Sequence, residues 1–364
     1  MYSIRDVLVS QERGDYSEHL SQGDYVLDCS MGSNPYGTPE LRVSPEALAH
    51  LSLYPHFGDD LTALLRRRYA GVLDLADDMV AYSCGSIGVC MAANRMCLAP
   101  GVPAVVTAPT FTAVTDDMAT YEPRFVRVPL RPERAFALDA DELVAAVAAN
   151  PDALVYVDNP NNPTGQSYPL DVVRRAVAAA RVAGSIILVD EAYGDYMDDA
   201  RSALALVGEF DNLMVARTFS KGVGLAGVRL GYCVAQAPVL AAFHKVNVPF
   251  SESTLAHEAA VQALSQGWAA RSRERVLADK PRLLETIAGC AHLRVAATDP
   301  GVSISMVYAD DPAVDLEQVF LRAGVRVVTC AGYDGLGANA VRLNLHEDID
   351  TLCELVRKAD ALLG

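Results

Sequence analysis

The sequence predicts an α/β fold with two parts. In the large domain, helices cover both faces of a mostly parallel, mixed β-sheet, and a smaller α+β domain follows. Short apolar segments alternate with amphipathic helical segments between about residues 60 and 235, which is typical of strands joined by helical crossovers. The chain has 364 residues, which is enough for two domains of ordinary size.

Six short apolar segments of the first unit predict strands, and four longer periodic segments predict helices. The predicted strands are Met79–Ser83, Ala104–Thr107, Leu154–Val157, Ile186–Val189, Leu213–Ala216 and Leu230–Ala235. The predicted helices are Ile87–Leu98, Asp139–Ala149, Leu170–Ala183 and Ser202–Glu209. The last two strands are too close in the chain for a helical crossover, so we expect that pair to be antiparallel.

The C-terminal part begins with two helical stretches, Pro238–Leu264 and Ala269–Ala288. After them, strands are predicted at Ser303–Tyr308, Val325–Val328 and Ala340–Leu345, with helices at Leu316–Ala323 and Asp348–Leu363. We therefore expect an N-terminal arm with part of the small domain at 1–44, the large domain at 45–247 and the small domain at 248–364.

Composition restricts the classes of partner. A net charge of −16 argues against a nucleic-acid ligand, and 51% hydrophobic residues fit a soluble globular protein. The N-terminus shows no basic segment before an apolar stretch, and no apolar run is long enough to span a membrane. Eight cysteines lack metal-type spacing, so we expect free thiols, no metal and a cytoplasmic location.

Polar residues stand where open α/β sheets bind ligands, at the carboxyl ends of strands. Asn162, Asp190 and Lys221 each come at or shortly after the end of a predicted strand. A lysine amine can form a Schiff base with an aldehyde, and an aspartate can pair with a pyridinium nitrogen. Asn162 and Tyr193 can hydrogen-bond a phenolic oxygen. The set predicts a site for pyridoxal 5′-phosphate (PLP), with Lys221, Asp190 and Tyr193 as the catalytic residues.

A second group of residues is suited to the phosphate and the ring of this cofactor. The strand-to-helix turn around Gly85 offers free N–H groups at a helix start, which is a favourable place for an anion. The predicted phosphate ligands are Gly85, Ser86, Ile87, Thr218, Ser220 and Arg229. Phe111, after the strand Ala104–Thr107, is predicted to stack on the pyridine face.

Arg342 lies inside an alternating strand, between apolar neighbours, and is predicted to bind a substrate carboxylate. Each of these features has a structural alternative when it is taken alone. The glycine-serine turn could be a simple helix cap, Phe111 could be core packing, and the arginines could be surface residues. Their joint occurrence in order favours the functional interpretation.

With these residues in view, the chain resembles the class I/II aminotransferases of fold type I, and is most similar to the histidinol-phosphate aminotransferase branch. The matching segments are 30–37, 54–55, 161–165, 190–193, 217–221 and 225–231, so the resemblance covers nearly the whole chain. It implies that Lys221 carries the Schiff base and that Arg342 grips the α-carboxylate, with Asn34 and Asn162 also contacting the substrate. It further implies a homodimer in which Tyr54 reaches the phosphate of the neighbouring site, and an N-terminal arm that closes over the substrate.

Two departures affect the expected substrate. Alignment on Gly324 places Val328 where this branch usually carries an arginine for the substrate phosphate, and Arg326 lies two positions away on the same side of the predicted strand. We therefore expect a substrate without a phosphate. The arm carries Glu12, Asp15, Tyr16, Glu18 and His19, and its carboxylates suggest a cationic substrate side chain as a further hypothesis.

The leading prediction for the reaction is transamination between an L-amino acid and a 2-oxo acid. An enzyme of the same fold that catalyses elimination, cyclisation, decarboxylation or oxidation remains the alternative, because all these reactions share the same catalytic residues. A sensory domain of a transcription regulator is disfavoured, since the chain is acidic and the fold begins by about residue 25.

Overall fold

The computed structural model describes residues 3–11, 23–55 and 58–364. The helices in these ranges are α1 Asp6–Ser10, α2 Pro45–Ala49, α3 Asp60–Tyr69, α4 Gly85–Cys97, α5 Thr112–Ala119, α6 Ala140–Ala148, α7 Leu170–Val182, α8 Leu204–Val207, α9 Ala237–Phe243, α10 Thr254–Ser265, α11 Trp268–Ala288, α12 Leu316–Ala323 and α13 Ile349–Ala361. The strands are β1 Leu27–Asp28, β2 Val80–Ser83, β3 Pro103–Ala108, β4 Arg124–Pro129, β5 Leu154–Asp158, β6 Ile186–Asp190, β7 Leu213–Thr218, β8 Gly231–Ala235, β9 Leu293–Val295, β10 Ile304–Ala309, β11 Val325–Arg326, β12 Val328–Thr329 and β13 Ala340–Asn344.

The larger sheet has seven strands in the order β2-β8-β7-β6-β5-β3-β4. Strands β3, β4, β5, β6 and β7 are parallel to one another, whereas β8 is antiparallel to both β7 and β2. The predicted antiparallel pair is therefore confirmed. Strand β4 was not predicted, because it is an edge strand whose arginines and half-buried residues hide the apolar run that a central strand shows.

Helices cover both faces of this sheet, which confirms the predicted fold class. Central strands such as β5 are buried along their whole length, since each face packs against apolar helix surfaces. Helices α4, α5 and α9 share one core cluster with the sheet, and α3, α6, α7, α8 and α10 share the cluster on the opposite face. This double covering holds the carboxyl edge of the parallel strands rigidly.

The C-terminal unit contains a four-stranded antiparallel sheet, in the order β12-β13-β10-β9, packed with α11, α12 and α13. Strand β1 of the N-terminal segment pairs in parallel with β11 and so joins this unit. The limits of the two domains remain a prediction. Helix α10 lies in the range predicted for the small domain, yet its Ala256, Ala260 and Ala263 belong to the core of the large sheet.

The predicted strand Val325–Val328 is two strands in the structure. β11 pairs with β1, while β12 pairs with β13 in the other sheet, so the chain changes sheet at Val327. The expectation that Arg326 and Val328 share one side of a strand is therefore wrong. Arg326 instead forms an ion pair with Asp28 on β1. Across the described ranges, no helix has the length and apolar character needed to cross a membrane.

Candidate active site

The carboxyl ends of β5, β6 and β7 bring the predicted residues to one edge of the sheet. Asp158 of β5 lies beside Asp190 of β6, and Asp190 lies beside Ala216 of β7. Lys221 follows three residues after β7, and Asn162 follows four residues after β5. Parallel strands explain this meeting, since successive strands end at the same edge.

Asp190 is buried, with only 3% of its surface exposed. Its Oδ2 atom accepts hydrogen bonds from the Tyr156 hydroxyl at 3.0 Å and from the Cys90 thiol at 3.5 Å, and its Oδ1 atom accepts one from the Ala192 N–H at 3.0 Å. Burial raises the pKa of Asp190, and the Tyr156 hydrogen bond opposes that shift. No cationic side chain of the described residues pairs with this carboxylate, so a cation in the site would be its natural partner.

The Lys221 amine lies over the ring of Tyr193, with Nζ 5.3 Å from the ring centroid. Gly32 makes this approach possible, because a methyl group at its Cα would lie 2.0 Å from the Tyr193 hydroxyl and 3.5 Å from Lys221 Nζ. Gly32 was not predicted as a site residue, although it stands in the segment 30–37 that carries the resemblance. Its role depends on a packing distance, which a sequence does not contain.

An anion cradle lies at the start of α4. Gly85 has a φ of +73°, a backbone conformation that favours glycine. It is the first residue of α4 and follows the end of β2 by two residues. Arg229 reaches this turn, since a methyl group on Gly85 would lie 2.8 Å from Arg229 Nη2. The Arg229 Nη1 atom donates to Ser220 Oγ at 3.2 Å, and the Thr218 and Ser220 hydroxyls are 2.9 Å apart. Four predicted phosphate ligands therefore meet at one helix N-terminus.

The remaining predicted cofactor ligands lie around this cradle. Ser86 is buried and Ile87 is half-buried in the first turn of α4. Phe111 is half-buried immediately before α5, at the same edge of the sheet. Tyr54 is different: it is 78% exposed, and its ring centroid lies 4.7 Å from that of Phe250.

Arg342 is fully buried on β13. Its Nη2 atom donates to the Ser30 carbonyl at 2.7 Å, and its Nη1 atom donates to Asn162 Oδ1 at 3.2 Å. The same Asn162 oxygen accepts the Tyr333 hydroxyl at 3.2 Å. Arg342 on β13 is thus linked directly to Asn162 in the loop after β5, which is the placement expected if Arg342 binds a substrate carboxylate beside the cofactor.

Tyr333 was not predicted as a site residue, and it stands in the glycine-rich segment 332–337. Its side chain is buried, and its neighbour Asp334 forms an ion pair with Arg127 of β4. The available signal was a single aromatic residue in a glycine-rich run just before the strand that carries Arg342.

Asn34 was predicted to contact the substrate, and that contact remains a prediction. The amide nitrogen of Asn34 donates to the Gly222 carbonyl and to Ser272 Oγ, both at 2.8 Å. Its oxygen accepts the Tyr36 N–H at 2.9 Å. These contacts fasten the loop after Lys221 to helix α11 and hold the lysine in place.

A buried ion-pair network supports the loops on either side of Lys221. Arg217 is 1% exposed and contacts Glu191 at 2.7 Å and Asp195 at 3.1 Å, and Arg68 contacts Asp195 at 2.8 Å. Glu191 adjoins Asp190, so Arg217 ties the end of β6 to the end of β7. Arg217 and Glu191 stand inside the matching segments 217–221 and 190–193, whereas Asp195 and Arg68 lie outside any matching segment.

Asp158 stabilises the turn at Asn161 and Asn162 through hydrogen bonds. It accepts the Asn162 N–H and the Asn161 side-chain amide, both at 2.9 Å. Burial raises the pKa of Asp158 to about 7, while these hydrogen bonds lower it. The turn that presents Asn162 is therefore fixed by a carboxylate that titrates near neutral pH.

The arm is described only in part. Helix α1 lies against α5, since Arg5 donates to the Thr120 carbonyl at 2.9 Å and Gln11 donates to the Asp116 carbonyl at 2.7 Å. Glu12, Asp15, Tyr16, Glu18 and His19 lie outside the described residues.

The arrangement fits PLP by three independent features. A lysine amine lies over Tyr193, the buried Asp190 carboxylate has no cationic partner within 3–11, 23–55 and 58–364, and a cluster of donors stands at the start of α4. These match the aldehyde, the pyridinium nitrogen and the phosphate of the cofactor.

Comparison with known proteins agrees with this geometry. The family model "Aminotransferase class I and II" matches residues 46–357. The chain belongs to the class I and II aminotransferase family. It is a PLP-dependent transferase, and PLP is its cofactor.

Relatives and solved structures extend the match over the chain. It is 31% identical over 314 residues to histidinol-phosphate aminotransferase 1 of Cupriavidus pinatubonensis, covering 85% of this chain and 81% of the relative. It is 32% identical over 269 residues to an aromatic amino acid aminotransferase of Nocardia farcinica, covering 72% and 74% of the two chains. A histidinol-phosphate aminotransferase from Sinorhizobium meliloti, solved with PLP, has a TM-score of 0.77 at 21% identity and covers 100% of this chain and 99% of that one.

The expectation of a substrate without a phosphate finds no support in these comparisons. Several matched relatives are named histidinol-phosphate aminotransferases. Within this chain, Val328 lies opposite Arg342 in the β12–β13 pair.

Proposed function

We propose that this enzyme transfers the amino group of an L-α-amino acid to a 2-oxo acid. The observation that carries this proposal is the link from Arg342 through Asn162 to the sheet edge that holds Asp190 and Lys221. A carboxylate clamp joined to a Schiff-base lysine and a ring-nitrogen carboxylate is suited to chemistry at the α-carbon of an amino acid.

Each residue then has a defined task. PLP, when bound, acts as an electron sink for charge that develops at the substrate α-carbon. Asp190 holds the proton on the ring nitrogen, and Tyr193 and Asn162 orient the phenolic oxygen. Arg342 binds the substrate carboxylate, and the Lys221 amine moves the proton away from the α-carbon as a general base. Gly85, Ser86, Ile87, Thr218, Ser220 and Arg229 hold the phosphate, and Phe111 covers the ring.

We further propose a homodimer that buries an exposed apolar surface. Exposed apolar side chains are concentrated in two segments, 43–54 and 248–250, which we call the dimer patch, and the Tyr54 and Phe250 rings join the two segments with centroids 4.7 Å apart. Its residues are Val43, Leu48, Leu51, Leu53, Tyr54, Val248 and Phe250. Such a concentration of exposed apolar side chains typically marks a protein interface. Asn247 bonds to Ser83 and to the Tyr82 carbonyl, so the patch adjoins the phosphate cradle. A second copy seated here would bring its Tyr54 toward that cradle.

The substrate side chain is the finer part of the proposal. A cavity of about 350 Å³ adjoins the clamp and is lined by polar groups, including Thr112, Thr115, Asp116, Arg127 and Tyr333. We propose that the side chain of the amino acid lies there. Asp334 on its wall is already paired with Arg127, and the Asp116 carboxylate supports the hypothesis of a cationic side chain.

The deciding experiment is a panel of amino donors added singly to the purified holoenzyme, with the cofactor spectrum recorded after each addition. The panel includes arginine, aromatic amino acids, aspartate and histidinol phosphate. A stable conversion of the cofactor to its amino form, reversed by a 2-oxo acid, is expected for transamination. Return to the starting spectrum with release of ammonia would instead indicate elimination.

Lys221→Ala is the matched control for this panel. The variant should retain the phosphate cradle yet lose the cofactor absorbance of the resting enzyme and all turnover. A variant with the normal spectrum and normal turnover would contradict the assignment of Lys221. If arginine-like donors react no faster than neutral ones, the cationic substrate fails while transamination stands.

A further inference from the structure

Asp190 accepts hydrogen bonds from two buried side chains that do not belong to the recognised motifs. Tyr156 is fully buried on the neighbouring strand β5, and Cys90 is fully buried on α4. Both donate to the same oxygen, Asp190 Oδ2, at 3.0 and 3.5 Å. With the Ala192 N–H on Oδ1, they set the orientation of the carboxylate before any ligand binds.

Burial favours the protonated, hydrogen-bond-donating form of both groups. Burial raises the pKa of Tyr156 and of Cys90 well above the ordinary values, and the neighbouring Asp190 charge adds to the shift. The hydroxyl and the thiol can therefore both donate. Their presence matters because Asp158 lies beside Asp190 on the adjacent strand, and two buried carboxylates favour protonation of one of them.

We propose that Tyr156, assisted by Cys90, is a positioning residue that keeps Asp190 ionised and directed at the ring nitrogen of PLP. This inference rests on the proposed role of Asp190. A hydrogen bond from a hydroxyl stabilises the charged carboxylate and makes it less basic. The proton between the ring nitrogen and Asp190 then stays on the ring, where it strengthens the electron sink.

Loss of the Tyr156 hydroxyl should change how the proton is shared between Asp190 and the ring nitrogen of PLP. In Tyr156→Phe the Asp190 carboxylate becomes more basic, and the shared proton shifts away from the ring. The ring withdraws less charge from the substrate α-carbon and from the Schiff base, so the chemical step slows. The Arg342 clamp is untouched, so substrate binding should stay close to wild type.

The test compares Tyr156→Phe with Tyr232→Phe in the holoenzyme. Tyr232 is a matched control, because it is also buried in the same sheet and its hydroxyl makes a 2.7 Å bond to the Tyr69 hydroxyl. For Tyr156→Phe we expect about a tenfold fall in kcat with KM within about twofold of wild type, the scale of one hydrogen bond to a charged group. We also expect faster loss of PLP on dialysis and a higher apparent pKa for the pH-dependent visible absorbance of the bound cofactor. Tyr232→Phe should leave kcat, dialysis and absorbance unchanged.

A purely structural role predicts a different pattern. Both tyrosine variants would then lose similar thermal stability, and the cofactor absorbance would titrate as in wild type; that result would overturn the proposal. Should Tyr156→Phe not fold, Cys90→Ala tests the same idea, with a smaller shift in the same direction expected and no shift contradicting it. Asp190→Ala distinguishes failure of the Tyr156 proposal from failure of the Asp190 proposal, because full activity in that variant would remove the proposed role of Asp190 itself.

Discussion

The oxygen of the Asn162 side chain accepts hydrogen bonds from both Arg342 and Tyr333. One amide therefore joins the large sheet, the carboxylate clamp and the loop before β13. Because its oxygen is taken by these two donors, its nitrogen is left for an acceptor such as the phenolic oxygen of PLP. Small changes around this amide should affect substrate binding more than they affect the fold.

Tyr333→Phe tests this link. The variant keeps the buried ring and removes one of the donors to Asn162, so Arg342 is held less firmly. We expect KM for the amino donor to rise by about fivefold, the size of one neutral buried hydrogen bond, with a smaller change in kcat. Steady-state kinetics measures both constants. Tyr308→Phe in the same unit is the control, and equal effects of the two variants would contradict the role of Tyr333.

Among the elements, the first turn of α4 carries the proposed phosphate site. Gly85→Ala introduces a methyl group 2.8 Å from Arg229 Nη2, at a φ of +73°. We expect PLP affinity to fall at least about tenfold, because Arg229 is displaced from the cradle and a charged hydrogen bond is lost. Titration of the apoenzyme with PLP measures this affinity.

Gly101→Ala is a control that separates the effect of backbone strain from the effect of displacing Arg229. Gly101 has a φ of +81° and an open space around it, so this variant carries the backbone strain of about 1–2 kcal/mol without the clash. It should lower stability and leave PLP affinity unchanged. Equal losses of PLP affinity in both variants would mean that strain alone explains the effect.

Helix α11 carries a buried lysine at the contact between the small domain and the Asn161–Gly165 loop. Lys280 Nζ donates to Thr298 Oγ1 at 2.6 Å and to the Asp299 and Ile304 carbonyls at 2.8 Å. Gly165 fits against the same groups, since a methyl group there would lie 2.2 Å from the Ile304 oxygen. Burial lowers the pKa of Lys280 from 10.5 to about 7, although the charge of Asp299 opposes this shift.

This shift predicts a pH-dependent stability. Between about pH 7 and 10.5 the unfolded chain binds up to one more proton at Lys280 than the folded chain. The contribution of Lys280 to the free energy of unfolding therefore rises with pH across this range. It is lost as pH falls through about 7. In urea unfolding, the wild-type curve of free energy against pH should be steeper than that of Lys280→Met by up to about 1.4 kcal/mol per pH unit. Parallel curves would contradict the prediction.

At the scale of the whole molecule, the proposed homodimer would account for the exposure of Tyr54, because this side chain would then contact a second copy. Leu51→Glu places a charge within the patch and should shift sedimentation toward the monomer at micromolar concentration. The monomer should also lose PLP more readily, because the cradle lacks the tyrosine of a second copy.

Val182→Glu is the control, since Val182 is 91% exposed on α7, outside the dimer patch. It should sediment as wild type. Tyr54→Phe should remain dimeric and still lose PLP faster than wild type. A dimer of Leu51→Glu with normal stability would show that the patch is not the interface.

The sequence by itself determined the fold class and the cofactor, and it singled out Lys221, Asp190, Tyr193, Asn162 and Arg342 as candidate site residues. Those residues are recognisable because strand ends, turn residues and chemical roles are all local features of the chain. Gly85 and Arg229 could also be identified this way, as parts of a strand–turn–helix and a motif.

Only the tertiary structure decided what lies beside these residues. Tyr156, Cys90 and Arg217 support Asp190 and Lys221 through side chains that face one another across different strands or from a helix onto the sheet. Tyr333 reaches Asn162 across 171 residues of chain, and β11 and β12 divide between two sheets. Such contacts depend on the distances between packed elements, and no local pattern in a single sequence encodes a distance.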